Sequence, residues 1–281
     1  MGGVIWIGLS FWRASLLRNL RMHVRQASIK RVTKETRVAV KLKLDGQGQA
    51  SIRTGVPFFD HMLTLFARHA VLDLKLACQG DLEVDAHHTV EDCGIALGQA
   101  FAQALGDKRG IRRYGWAKES GVQSPAAAAL ARFGAPRESR VGDSRTGAAS
   151  DSGLRTRNSG LSSGAGEAYV PMDECLARCV IDFGGRPYLV WRGLSDLAYR
   201  KLSKAERRQD MSSAFRFGLA REFFQGFANE ARCNLHLELL YGDEPHHVVE
   251  ALFKAFAKAV DMACQRDPRI AGRLPSTKGK L

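Results

Sequence analysis

The chain has 281 residues, 45% hydrophobic and 25% charged, with a formal net charge of +13; that suits a globular protein of one large domain or two small ones. Most of the charge sits at the two ends, and no helix-turn-helix, zinc-finger or aromatic RNA-binding pattern accompanies it, so no nucleic-acid partner is expected. Six scattered cysteines without a Cys-x-x-Cys pair exclude a zinc ribbon and argue for reduced, mostly buried thiols rather than a disulfide framework.

Residues 1–23 form a basic N-terminal extension. Its apolar run, Gly2 to Trp12, is too short to span a bilayer and lacks the leading positive charge of a secretory signal, so no membrane partner is expected. The acid-free stretch behind it is either an organelle transit peptide or an extension ahead of a start at Met22. The patterned sequence that begins soon after Met22 favours the second. The expected location is the cytoplasm, or a plastid if residues 1–21 are a transit peptide.

Residues 24–117 carry the first ordered pattern. Thr36 to Leu44 alternates apolar and polar, Asp45-Gly46 follows, and Gln49 to Thr54 resumes, which predicts a hairpin. Phe58 to Ala70 has helical spacing, Leu72 to Ala77 alternates again, and Thr89 to Leu105 is helical. Residues 118–167 are rich in Gly, Ser, Ala and Arg and carry almost no large apolar residues after Phe133. They cannot bury enough surface to offset chain entropy and are expected to be a disordered insertion. Residues 168–281 then form a second half, with strand patterns over Ala177 to Phe183 and Tyr188 to Trp191.

That second half repeats the first. Asp60 to Ala70 lies over Arg221 to Ala231, with Phe66 on Phe227 and Ala70 on Ala231. Strand Leu72 to Leu76 falls on Cys233 to Leu237, and each half then has His-His-x-x-Glu, at His87-His88-Thr89-Val90-Glu91 and His246-His247-Val248-Val249-Glu250. The expected fold class is α+β, built from two fused pseudo-symmetric β-β-α-β-α half-repeats, a sheet packed on helices, with the disordered insertion between them.

Imidazole with carboxylate suits a divalent manganese, iron or zinc ion. On a helix, His87 and His88 can each share a face with Glu91, but they diverge from each other by about 100°. One histidine of each pair therefore joins its glutamate on one ion, and the other turns toward a second ion. A single His-His pair is usually just a half-exposed helix start. Two pairs at matching places of a repeat, both with Glu at the same spacing, point to metal. His61 belongs to the same set, and its repeat partner is Glu222. The C-terminal Pro275-Ser276-Thr277-Lys278-Gly279 offers hydroxyls and an ammonium suited to a phosphate. Arg113 and Arg186 flank the insertion at matching places, either as two surface arginines or as two guanidinium donors for one anion.

These residues resemble the imidazoleglycerol-phosphate dehydratase family. The resemblance rests on Thr33 to Val38, Gly55-Val56-Pro57-Phe58-Phe59-Asp60-His61-Met62-Leu63, Asp85 to Asp92, Pro171-Met172-Asp173-Glu174, Gly185-Arg186-Pro187-Tyr188, His246 to Ala255 and Pro275 to Gly279. It implies a lyase of histidine biosynthesis that dehydrates imidazole glycerol phosphate to imidazole acetol phosphate. It further implies two Mn2+ ions per active site, held between neighbouring subunits of a 24-subunit homo-oligomeric shell. The implied metal ligands are His61, His87, His88, Glu91, His246, His247 and Glu250, with Glu222 standing where many members have His. Glu35 is the implied proton-transfer residue. His69, Arg113, Arg186, Ser276 and Lys278 are the implied substrate contacts. The insertion interrupts a segment that the family joins directly.

Overall fold

The computed structural model describes residues 24–116, 169–193 and 215–281. The expected disordered insertion at 118–167 and the N-terminal extension at 1–23 lie outside these residues.

The first half runs β1 (Gln26–Val32), β2 (Thr36–Lys43), β3 (Ala50–Arg53), α1 (Pro57–His69), β4 (Asp73–Gly80) and α2 (His87–Leu105). The second runs β5 (Tyr114–Trp116), β6 (Tyr169–Met172), β7 (Cys175–Asp182), β8 (Tyr188–Arg192), α3 (Phe217–Ala231), β9 (Asn234–Tyr241) and α4 (Pro245–Cys264). The fold is α+β with two repeated halves.

The sheets repeat one another strand for strand. The first has the order β1-β2-β4-β3 and the second β5-β7-β9-β8, with β6 also paired to β7. In each, the central pair is antiparallel and the outer partner of β4 or β9 runs parallel to it. The expected hairpin between β2 and β3 therefore does not form. β2 pairs with β1 through the turn at Lys34-Glu35, and β3 crosses to the far side of β4. The alternation of Gln49 to Thr54 correctly marked a strand, here a mostly exposed one, but alternation carries no information about the neighbour. Each half also has one more strand than its pattern revealed, because β1 and β5/β6 are edge strands with weak alternation.

Inward-facing residues on the central strands bury one face of each sheet. β2 places Thr36, Val38, Val40 and Leu42 inward and Arg37, Ala39, Lys41 and Lys43 outward, the period-two pattern of a half-buried strand. Four helices cover the inner faces: α2 packs on β1 and β2, α4 on β5, β6 and β7. The helices meet in pairs, α2 with α3 and α1 with α4. Glycine makes the first pair close. A Cβ at Gly94 would sit 2.3 Å from the Phe223 carbonyl oxygen, and one at Gly98 2.7 Å from that of Phe227. The second pair is locked by Phe66 stacked on Phe256 with ring centroids 4.9 Å apart. Five of the six cysteines are buried and all six are free thiols. Among the described residues no helix is long and apolar enough to cross a membrane.

Candidate active site

Both histidine pairs stand in the first turn of a helix. Pro245 opens α4, and the N-cap Glu244 accepts the His247 backbone N–H at 2.7 Å. In α2 the Asp85 carboxylate accepts the His87 backbone N–H at 2.7 Å. The two pairs have the same shape. The His87 and His88 ring centroids lie 5.9 Å apart at 87°, and those of His246 and His247 lie 5.9 Å apart at 86°. The expected divergence within each pair is therefore present in both halves.

The first histidine of each pair turns toward its own glutamate. His87 Nε2 is 3.7 Å from Glu91 Oε2, and His246 Nε2 is 3.5 Å from Glu250 Oε2. His61 on α1 reaches across the helix contact to the same Glu250 oxygen, at 3.9 Å. Burial works against the Glu250 carboxylate, but the hydrogen bond from Lys254, at 2.7 Å, and the nearby His61 and His246 outweigh it and lower its pKa. Glu222, the repeat partner of His61, contacts Arg221 at 3.7 Å and makes no ion pair with His87. Among the described residues, the second half alone draws a third group onto its His–Glu pair.

The second histidine of each pair is held by a different carboxylate. His88 Nδ1 lies 2.9 Å from Asp81 and His247 Nδ1 2.9 Å from Glu174. Both imidazoles have raised pKa values, caused first by these hydrogen bonds. Hydrogen bonds from Cys175 Sγ and His247 hold Glu174 down to about 2. A carboxylate on one ring nitrogen fixes the ring and leaves the other nitrogen as donor, the arrangement that supports a metal-binding histidine. In His88 the free nitrogen is Nε2, on a side chain 39% exposed. Sequence reasoning did not identify Asp81 or Glu174. Their signal was faint: a carboxylate six or seven residues ahead of one pair, and one in a distant turn brought in by β6–β7 pairing.

Glu35 is exposed in the β1–β2 turn, its backbone N–H bonded to Thr33 Oγ1 at 3.2 Å. The turn is fastened to α2: Asp92 accepts from Arg31 Nε at 2.8 Å and from Thr36 Oγ1. Glu35 stands close enough to His88 to contribute to its raised pKa. His69 lies two turns beyond His61 on α1. Burial first, then Lys258 and Lys254, lower its pKa.

Arg113 meets the C-terminal tail that carries Ser276 and Lys278 at another corner, and the end of that tail lies against the turn before Arg186. The Arg113 guanidinium grips Asp182 through Nε at 2.6 Å and Nη2 at 3.0 Å, and donates through Nη1 to the Pro275 carbonyl at 2.8 Å. The tail then runs past the Gly184-Gly185 turn: a Cβ at Gly185 would lie 2.4 Å from Leu281. Arg186 and Lys278 are exposed, and neither side chain makes an ion pair among the described residues. One expectation needs correcting. Arg113 and Arg186 do not hold matching places. Gln26 pairs with Lys43 and Tyr114 with Asp182 at equivalent ends of the two central strands, so the counterpart of Arg113 is Arg25. Arg25 grips Asp45 in the same two-pronged way.

The two corners are far apart within one chain. The Arg113 backbone N–H bonds the Ala263 carbonyl at 3.0 Å, at the C-terminal end of α4, whereas His246 opens that helix. A rise of about 1.5 Å per residue separates them by about 25 Å. Among the described residues, no three or more His, Cys, Asp and Glu side chains are gathered closely enough to hold a metal ion. The donor chemistry nevertheless fits one: two oriented imidazoles, and two His–Glu pairs, one with His61 added.

The comparisons with known proteins agree with this architecture. A family profile described as imidazoleglycerol-phosphate dehydratase matches residues 54–132 and 153–260. The imidazoleglycerol-phosphate dehydratase of Citrifermentans bemidjiense is 44% identical over 92% of this chain and 99% of its own. That of Acinetobacter baylyi is 40% identical over 94% of this chain and 100% of its own. Among solved structures, the Staphylococcus aureus enzyme of that name superposes with a TM-score of 0.57 at 29% identity, covering 86% of this chain and 99% of its own. The Pyrococcus furiosus structure gives 0.58 at 25% identity, covering 90% and 100%. Fold and comparisons together define an enzyme of the dehydratase class. The chain belongs to the imidazoleglycerol-phosphate dehydratase family.

Proposed function

We propose that this chain is a manganese-dependent hydro-lyase that converts imidazole glycerol phosphate to imidazole acetol phosphate in histidine biosynthesis, at sites shared between copies in a large shell of 24 subunits. The observation that carries the shared site is the distance of about 25 Å between histidine corner and anion corner, set by the rise of α4. A substrate with one imidazole ring and a three-carbon phosphate chain cannot bridge it, so its two ends engage two different chains.

His61, His246 and Glu250 would hold one of two metal ions in combination with an oriented histidine of another copy. His87, Glu91 and Glu222 would do the same for the other, with His88 and His247 as the donated imidazoles. Bound there, a metal would supply Lewis acidity to the substrate imidazole, whose attached carbon loses hydroxide while the next carbon loses its proton. The chain supplies the rest. Glu35 carries out proton transfer, and the fastened β1–β2 turn sets its carboxylate beside His88. His69 offers a hydrogen bond to a substrate hydroxyl. Arg186, Lys278 and Ser276 of the other copy bind the phosphate, with Arg113 behind them.

The test is conversion of imidazole glycerol phosphate by purified, manganese-loaded protein, followed as acetol phosphate formation. Turnover lost to a chelator and restored by manganese is the expected result. Turnover indifferent to chelation would overturn the metal assignment, and no turnover would overturn the reaction.

A further inference from the structure

We infer that Asp182 is a positioning residue for phosphate: through Arg113 it fixes the C-terminal tail so that Ser276 and Lys278 stand beside Arg186. The inference rests on the proposed reading of that corner as the phosphate site. Asp182 itself offers a phosphate nothing but repulsion, so its effect passes through the arginine.

Three observations meet here. The Asp182–Arg113 pair is two-pronged and largely shielded, with side-chain exposures of 17% and 13%. Such a fork fixes the guanidinium plane as well as its position. The remaining nitrogen, Nη1, is aimed at the Pro275 carbonyl, the residue before Ser276. Among the described residues the tail has no strand or helix partner over Pro275 to Leu281; this bond, with that from the Gly110 N–H to the Arg273 carbonyl at 2.9 Å, holds its near end. Within the tail, Ser276 Oγ accepts the Lys278 backbone N–H at 3.2 Å, which carries the placement on to Lys278.

The neighbouring backbone is shaped around the pair. A Cβ at Gly184 would lie 2.6 Å from Asp182 Oδ2 and 2.8 Å from Arg113 Nη2. Buried Lys108 donates to the Phe183 carbonyl at 3.0 Å, and the Phe183 N–H bonds the Arg113 carbonyl at 3.1 Å. The strand end carrying Asp182 is thus tied to the segment carrying Arg113 on both sides. The turn that follows presents Arg186 outward, with no ion pair among the described residues. Held arginine, anchored tail and open arginine form one cationic corner.

Asp182→Asn tests the inference, with Gly184→Ala as an independent disturbance of the same fork. Three quantities are measured on the assembled protein: hydrogen exchange of the amides from Ser276 to Lys280, the dissociation constant of inorganic phosphate, and KM against kcat. The expected result in both variants is faster tail exchange, phosphate bound roughly tenfold more weakly and KM raised by a similar factor, with kcat changed less than KM. Unchanged tail exchange overturns the inference. So does faster exchange with phosphate affinity intact, since the tail would then not matter to the anion. If Asp182→Asn fails to assemble, Gly184→Ala decides on the same readouts. Phosphate binding does not depend on turnover, so failure of the dehydratase reading remains distinguishable from failure of this one.

Discussion

Glu35 and Glu174 occupy equivalent positions in the two halves: each ends a two-residue turn and directly precedes the central strand, β2 or β7. Each stands beside the second histidine of its own half, yet their attachments differ. Glu174 is bound to His247 Nδ1 at 2.9 Å, whereas in the first half Asp81 takes that place on His88 and leaves Glu35 free of it. On the proposed reading, one glutamate orients a histidine and the other is left for proton transfer. Glu35→Gln is expected to abolish turnover while substrate binding persists. Glu174→Gln is expected to weaken manganese binding by about 10–100-fold, as loss of a histidine's supporting carboxylate does. Turnover and manganese titration on both variants check this; equal effects on metal binding would sink the division of labour.

The Asp81–His88 pair predicts a pH dependence. A metal needs the neutral imidazole, and the hydrogen bond to Asp81 raises the pKa of His88. In the native chain, proton competition with metal therefore begins at a higher pH than an ordinary histidine would impose. Asp81→Asn removes that shift but also releases the ring. Its manganese affinity is expected to be lower by about 10–100-fold at alkaline pH and to decline less on acidification. The metal-free chain behaves in the opposite sense. With a raised native pKa, the pair stabilises fully below the unfolded histidine pKa of about 6.5, and that contribution is lost as pH rises through the raised value. Manganese titrations across pH check the first effect; parallel curves for the two proteins would contradict it.

Helix packing predicts a stability change remote from the chemistry. Gly94 on α2 faces the Phe223 carbonyl, and the 2.3 Å left for a Cβ is backbone contact that no rotamer can relieve. Gly94→Ala raises local helix propensity but forces α2 and α3 apart. A cost of about 1–3 kcal/mol is expected, the usual range for overpacking. Thermal unfolding of the metal-free protein measures it. Because Glu91 precedes Gly94 by one turn, weaker metal binding is expected alongside.

Much of this was legible in the residues. The His-His-x-x-Glu repeat, the glutamates three residues on and His61 were visible because helical spacing is local. The halves were visible because Phe66 and Phe227 recur in the same setting. Strand neighbours were not, since β3 alternates identically whether it pairs with β2 or β4. Asp81, Glu174 and Asp182 were also hidden, because each acts on a residue brought near only by the fold. The equivalence of Arg113 with Arg25 rather than Arg186 likewise depends on register, which sequence spacing misjudged across the insertion.

The separation of the two corners gives the most decisive prediction. On the proposed reading, His246→Ala removes a metal donor and Arg186→Ala a phosphate donor, so each variant alone is expected to be inactive or nearly so. If every site takes its His246 from one chain and its anion corner from another, a mixed assembly contains some sites with both parts intact. Random equal mixing gives a wild-type combination in roughly a quarter of shared sites. Dissociating the two variants by chelation, mixing them and restoring manganese is therefore expected to recover activity on that order. A site contained within one chain would recover nothing, since every chain in the mixture carries one broken part. The outcome separates the two arrangements without a structure of the assembly, and it follows from the length of a single helix.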